Sequence, residues 1–164
     1  MARVLIIYYS RTGNTEKMAK IVAKGIEKEN VEVEVKRVED VKVDELKDAD
    51  GIIIGSPTHY GSMASQLKQL FEESRKLQGQ LVGKVGGAFT SSHWVGGGNE
   101  TTIMDILRAF LIHGMIVQGE ARGDHYGPVA LYAPDERSSS ECEKLGQRVA
   151  RLVKRLVLSQ NEWK

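Results

Sequence analysis

A chain of 164 residues has the length of one domain, with room for a single apolar core. Hydrophobic residues at 41% and charged residues at 27% exclude a disordered chain. With 23 basic against 22 acidic side chains the formal net charge is +1, so the composition offers no general attraction for nucleic acid or an anionic membrane.

Cys142 is the single cysteine, which excludes an intrachain disulfide or a cysteine-held cluster and implies a reducing compartment. The N-terminus enters an apolar run at once, leaving no space for a signal peptide. No apolar stretch approaches the ~20 residues of a membrane span. A soluble, cytoplasmic, single-domain protein is expected.

Residues 3–8 (Arg-Val-Leu-Ile-Ile-Tyr) form a short continuous apolar run, the pattern of a strand covered on both faces. Met18, Ile21, Val22, Gly25 and Ile26 then recur at helical spacing, with Glu16, Lys17, Lys20 and Lys24 on the other face. Val31, Val33 and Val35 alternate with Glu32, Glu34 and Lys36, which predicts an edge strand with one wet face. Residues 51–55, enclosing Ile52, Ile53 and Ile54, read as a third strand, and Met63, Leu67, Leu70 and Phe71 mark the helix after it. Residues 85–89 read as a fourth strand. Ile103, Ile106, Leu107, Phe110 and Leu111 give another amphipathic helix.

Residues 115–117 begin a last strand, and residues 129–132 either continue it or form a short extra one. Ser138, with Glu141 three residues on, predicts a capping box opening a helix whose core stripe runs through Cys142, Leu145, Val149, Leu152, Val153 and Leu156. The alternation of strand and helix implies an α/β fold, a five-stranded parallel sheet with helices on both faces. An edge strand beside a buried first strand suits the order 2-1-3-4-5. Ligands in such sheets sit beyond the carboxyl ends of the strands, near the switch between the first and third.

Three loops fall at that edge. The first contains Ser10, Arg11, Thr12, Gly13, Asn14 and Thr15. Its hydroxyls and backbone N–H groups, at a helix start, form an anion site for a terminal phosphate. The same residue types also serve an ordinary cap and turn. The second loop contains Pro57, Thr58, His59, Tyr60 and Gly61, with Tyr60 as a plate for a planar ligand and His59 as a proton donor or a polar rim residue. The third contains Ser91, Ser92, His93, Trp94, Gly96, Gly97 and Gly98. Three successive glycines allow close backbone approach to a flat ligand or make a mobile tip. Trp94 is a second plate or an anchor for its loop.

Several alternatives fail on their motifs. No G-x-G-x-x-G follows the first strand, and residues 79–84 lack the spacing and the Ser or Thr of a P-loop. The first loop has neither the carboxylates of a receiver domain nor the cysteine of a low-molecular-weight phosphatase. His59, His93, His113 and His125 show no metal-ligand spacing.

With these loops in place the sequence resembles the flavodoxins and their enzymatic relatives along nearly its whole length. Residues 10–15 are similar to the flavodoxin phosphate loop. Residues 55–63, Ser91-Ser92 and residues 96–100 resemble one branch, the tryptophan-repressor-binding-protein-like NAD(P)H:quinone oxidoreductases, which carry FMN and form oligomers. His113-Gly114-Met115 and Tyr126-Gly127-Pro128 match tripeptides of that branch. The resemblance implies a flavodoxin-like three-layer sandwich that binds FMN, with residues 10–15 on the phosphate and residues 57–61 and 91–98 framing the isoalloxazine ring. It implies NAD(P)H and a small-molecule acceptor such as a quinone as partners, and a homo-oligomer. The other role open to the fold is a flavodoxin-type carrier that passes electrons to a redox protein.

Two departures touch the acceptor pocket. Ile112 stands where the branch has a first of two histidines, and residues 75–79 lack its tryptophan. The late excursion of those enzymes is also shortened between Gly119 and His125. His59, His93 and His125 are the candidates for a catalytic role.

Overall fold

The computed structural model describes residues 1–162. Its strands are β1 (Arg3–Tyr8), β2 (Glu32–Arg37), β3 (Gly51–Pro57), β4 (Val85–Ser92), β5 (Ile116–Val117) and β6 (Val129–Leu131). Its helices are α1 (Asn14–Glu27), α2 (Ser65–Glu73), α3 (Asn99–Ile112) and α4 (Glu136–Glu162), with 3-10 turns at Val38–Asp40, Val43–Lys47 and Ser74–Leu77. Every strand pair is parallel, and the order is β2-β1-β3-β4-β5, as the patterning predicts.

The apolar runs of β1 and β3 are explained by the helices on both sides. Leu5, Ile7, Ile52 and Ile54 point into one core, against Leu67 and Leu70 of α2 and Ile103, Ile106 and Phe110 of α3. Val4, Ile6, Tyr8, Ile53 and Phe89 point the other way, onto Met18, Val22 and Ile26 of α1 and Cys142, Leu145, Val149 and Val153 of α4. Successive residues of a strand face opposite sides, so a buried parallel strand needs apolar side chains throughout. α1 and α4 pack against each other through two glycines. A Cβ on Gly25 would lie 2.2 Å from the Glu143 carbonyl oxygen, and one on Gly146 2.2 Å from that of Val22.

The fifth position of the sheet is filled twice. β5 pairs with Val85 and Gly86, at the start of β4, and β6 pairs with Thr90, Ser91 and Ser92, at its end. Residues 129–131 are therefore a separate strand, and residues 118–128 detour between the two. α4 holds the detour in place. Arg137 Nη1 donates to Asp124 Oδ1 at 2.8 Å, Asp124 Oδ2 accepts from the Val129 N–H at 2.8 Å, and Glu141 accepts from the Asp124 N–H at 3.3 Å.

Three boundaries differ from the sequence reading. β3 runs to Pro57 and β4 to Ser92, rather than ending at residues 55 and 89. Their ladder continues through the pairs Ser56 with Thr90 and Pro57 with Ser91, and β6 pairs with the last three residues of β4. α4 begins at Glu136, and the capping pair is Asp135 with Ser138 instead of Ser138 with Glu141. The Ser138 N–H donates to Asp135 Oδ1 at 2.7 Å, and the Asp135 N–H donates back to Ser138 Oγ at 2.9 Å. Glu141 is engaged with the detour and with Lys144.

Candidate functional site

β1, β3 and β4 lie side by side, so the loops that leave their carboxyl ends share one edge. In the first loop the buried Ser10 Oγ accepts the Gly13 N–H at 3.0 Å. Gly13, at φ +93°, is the N-cap of α1, and no side chain caps that helix. The first helical bond runs from the Lys17 N–H to the Gly13 carbonyl. The N–H groups of Asn14, Thr15 and Glu16 therefore precede it, at the positive end of the helix dipole. Arg37 braces the loop from the end of β2, where the parallel register sets it beside Tyr8. Its Nη2 donates to the Ser10 carbonyl at 3.0 Å, with the guanidinium 5.6 Å from the centre of the Tyr8 ring.

The second loop is joined to the end of β4. The Thr58 N–H donates to the Ser91 carbonyl at 2.8 Å, and the Thr58 and Thr90 hydroxyls lie 2.9 Å apart. His59 and Ser62 exchange backbone bonds of 2.9 and 3.0 Å around Tyr60 (φ +51°) and Gly61 (φ +75°). This tight reversal fixes His59 on the cavity wall and leaves the Tyr60 side chain fully exposed. The His59 ring meets Tyr9 edge-on at 6.2 Å.

In the third loop, Asn99 Nδ2 donates to Ser92 Oγ and to the Trp94 carbonyl, both at 3.0 Å. Gly98, at φ +98°, packs so close that a Cβ there would lie 2.4 Å from Gly61 Cα. Thr101 Oγ1 donates to the Gly61 carbonyl at 2.7 Å. The Thr15 and Ser91 hydroxyls, 2.8 Å apart, join the first loop to the third.

Together the loops enclose a cavity of about 440 Å³. Ser10, Arg11, Thr12, Asn14 and Thr15 line one part of it. Pro57, Thr58 and His59 line a second, and Ser91, Ser92, His93, Trp94 and Gly97 a third. Pro57, Ser91 and Ser92 are strand residues rather than loop residues. Gly13, Tyr60, Gly61, Gly96 and Gly98 do not line the cavity; Gly13 caps α1, and Gly61 and Gly98 join the second and third loops. His125 also lies outside it, exposed, with its Nδ1 2.7 Å from the Glu120 carbonyl oxygen.

Among the described residues no carboxylate lines the cavity, and Arg11 is its one permanent charge. Burial pushes the His59 pKa down, and the Arg11 charge pushes it further. Sequence reasoning missed Tyr132, which follows β6 and stacks on His93 with ring centres 4.9 Å apart and planes 14° off parallel. It also missed Arg37, and it placed Asn99 in the third loop without a role. The placement of Arg37 and Tyr132 is topological: the β1–β2 register sets Arg37, and the β4–β6 ladder sets Tyr132.

A chain with this sheet order and this loop edge finds its match in one family. The sequence model of the flavodoxin domain matches residues 5–93, from β1 through the start of the third loop. The chain belongs to the flavodoxin family. A relative named NAD(P)H dehydrogenase (quinone), from Archaeoglobus fulgidus, is 37% identical over 190 residues, covering 95% of this chain and 100% of the relative. One named flavodoxin, from Aquifex aeolicus, is 38% identical over 162 residues, covering 93% and 88%.

Solved structures agree on the fold. A flavodoxin from the domain Archaea superposes with a TM-score of 0.76 at 33% identity, covering 93% of this chain and 99% of that one. The flavodoxin, WrbA-like protein from Agrobacterium tumefaciens superposes at 0.81 with 24% identity, covering 94% and 99%. The A. fulgidus alignment is longer than the 164 residues of this flavodoxin-family chain, so that relative carries residues this one lacks. No helix among the described residues is long and apolar enough to cross a membrane.

Proposed function

We propose that this protein binds FMN in the cavity and passes electrons from NAD(P)H to a quinone or similar small acceptor. The observation that carries the reading is the join within one 440 Å³ cavity of two unlike parts. An uncapped helix start beside Ser10, Thr12 and Thr15 suits a phosphate, and the part lined by His59, Ser91, His93, Trp94 and Gly97 suits a flat ring. Several relatives named NAD(P)H dehydrogenase (quinone) support the reaction.

FMN, when bound, supplies the two-electron chemistry, taking hydride from a nicotinamide and returning electrons to an acceptor. The protein's part is to hold and orient. The first loop would hold the phosphate through its N–H and O–H groups, with Arg11 as the charged donor. The bonds between Thr15 and Ser91 and between Thr58 and Thr90 fix the walls. A cavity without carboxylates places no like charge beside a ring that gains electrons.

A second reading, an electron carrier to a redox protein, is supported by relatives and solved structures that are named flavodoxin, among them the A. aeolicus protein and the archaeal structure. Anaerobic addition of NADH or NADPH to the FMN-loaded protein separates the two. Bleaching of the visible flavin band, reversed by a quinone, is expected for the reductase, whereas a band that persists with both nucleotides means a carrier. Thr12→Asp should weaken FMN binding about tenfold or more through like-charge repulsion, since Thr12 is exposed and its loss costs the fold little. Unchanged affinity would move the phosphate elsewhere.

A further inference from the structure

His59 lies on the cavity wall with no hydrogen-bond partner for its ring nitrogens among the described residues, held there by the reversal at Tyr60 and Gly61. The groups around it are few. Arg11 and Tyr9 face it from the first loop, and His93 lines the same cavity from the third. Behind its turn, Asp105 of α3 accepts from the Ser62 hydroxyl and the Met63 N–H and is paired with Arg108. No carboxylate lines the cavity to hold a histidine charged, and burial and Arg11 both favour the neutral imidazole.

We propose that His59 takes up a proton when the bound flavin is reduced and so balances the charge of the reduced ring. The inference rests on the FMN reading above. Two electrons and one proton enter the ring as hydride from the nicotinamide, leaving one negative charge. The second proton passes from bulk water to the open nitrogen of His59. A phosphate in the first loop acts in the same direction, because its charge offsets that of Arg11. At His93, which is exposed and stacked on Tyr132, water screens the new charge more than at the half-buried His59.

The test is a histidine-ring NMR titration of the 15N-labelled, FMN-loaded protein from about pH 5 to 9, oxidised and then reduced anaerobically with dithionite. The His59 signals are those lost in His59→Gln. Their proton affinity is expected to rise roughly tenfold or more on reduction, the effect of a new opposite charge a few ångströms away. The midpoint potential should follow pH less steeply in His59→Gln than in the wild type, by one proton per two electrons in the neutral range. His93→Gln should keep the wild-type dependence.

A His59 ring that titrates at the same pH in both redox states overturns the inference while leaving FMN binding intact. So does a pH dependence that His93→Gln abolishes and His59→Gln preserves. A protein that takes up no FMN overturns both this inference and the reading beneath it, and is recognised at once by the absent flavin absorbance.

Discussion

Gly55 shows how much a single missing side chain holds open. A Cβ there would lie 2.1 Å from the ring of Phe89, which is fully buried between β4 and the α1–α4 layer. Gly55→Ala should destabilise the protein by about 1–3 kcal/mol, read as a lower urea midpoint, because the ring has no room to retreat. Cys142 is inert for a related reason. Burial pushes its thiol pKa up to about 12, so a thiol reagent at pH 8 should label it only as the protein opens. Labelling of the folded protein at the rate of a free thiol would contradict that placement.

His113 has no metal-ligand spacing in the sequence, and in the fold it serves packing instead. Its Nε2 lies 2.8 Å from the Ser74 hydroxyl, away from the cavity. Burial lowers its pKa, so the unfolded chain binds the proton more tightly than the folded one. The stability from its neutral form is present above the unfolded value near 6.5 and is lost as pH falls through that value toward the folded one. His113→Gln, compared with wild type by urea unfolding at several pH values, should flatten the loss of stability below neutrality. An unaltered slope would place the effect elsewhere, His59 being the other histidine with a lowered pKa.

At the scale of elements, α1 and α4 meet most tightly where Gly25 faces Gly146. Alanine raises intrinsic helix propensity over glycine by about 1 kcal/mol. At Gly146, however, the new methyl would meet the Val22 backbone, which moves only if α1 moves. Gly146→Ala should therefore destabilise despite the better propensity, and a stabilised variant would show the helices are free to part.

The patterning makes the strands and helices legible wherever burial enforces it. The isoleucines of β3 and the alternating valines of β2 each report their neighbours directly. The ends are less legible, because a strand continues as long as a partner continues beside it. Nothing in Thr90, Ser91 and Ser92 announces β6, and three hydroxyl residues read locally as a loop. The cap of α4 is obscured for a similar reason: Asp135 and Ser138 satisfy each other, while Glu141 is drawn off by the detour. The site shares this division. The lining residues of the three loops are readable from order along the chain, but the braces by Arg37 and Tyr132 depend on the register between strands, which the local sequence does not show.

For the molecule as a whole, ligand binding and folding are one equilibrium. FMN at a hundredfold excess over its dissociation constant should add about 2.7 kcal/mol of stability, visible as a raised melting temperature. Riboflavin at the same concentration should raise it less, since it brings no phosphate to the start of α1. Equal shifts from both would mean the first loop contributes nothing to recognition.

The stapling of the three loops bears on how an occupant arrives. Ser91 is tied to Thr15 and Thr58, and Gly61 abuts Gly98 under the Thr101 hydroxyl, so the walls form one connected frame through the chain's own contacts. A guest loses its own freedom on entry but imposes little further ordering on its host, which keeps the entropic cost of association low. Changes in affinity among variants of the frame should then appear chiefly in how long the guest stays, with its rate of arrival nearly constant.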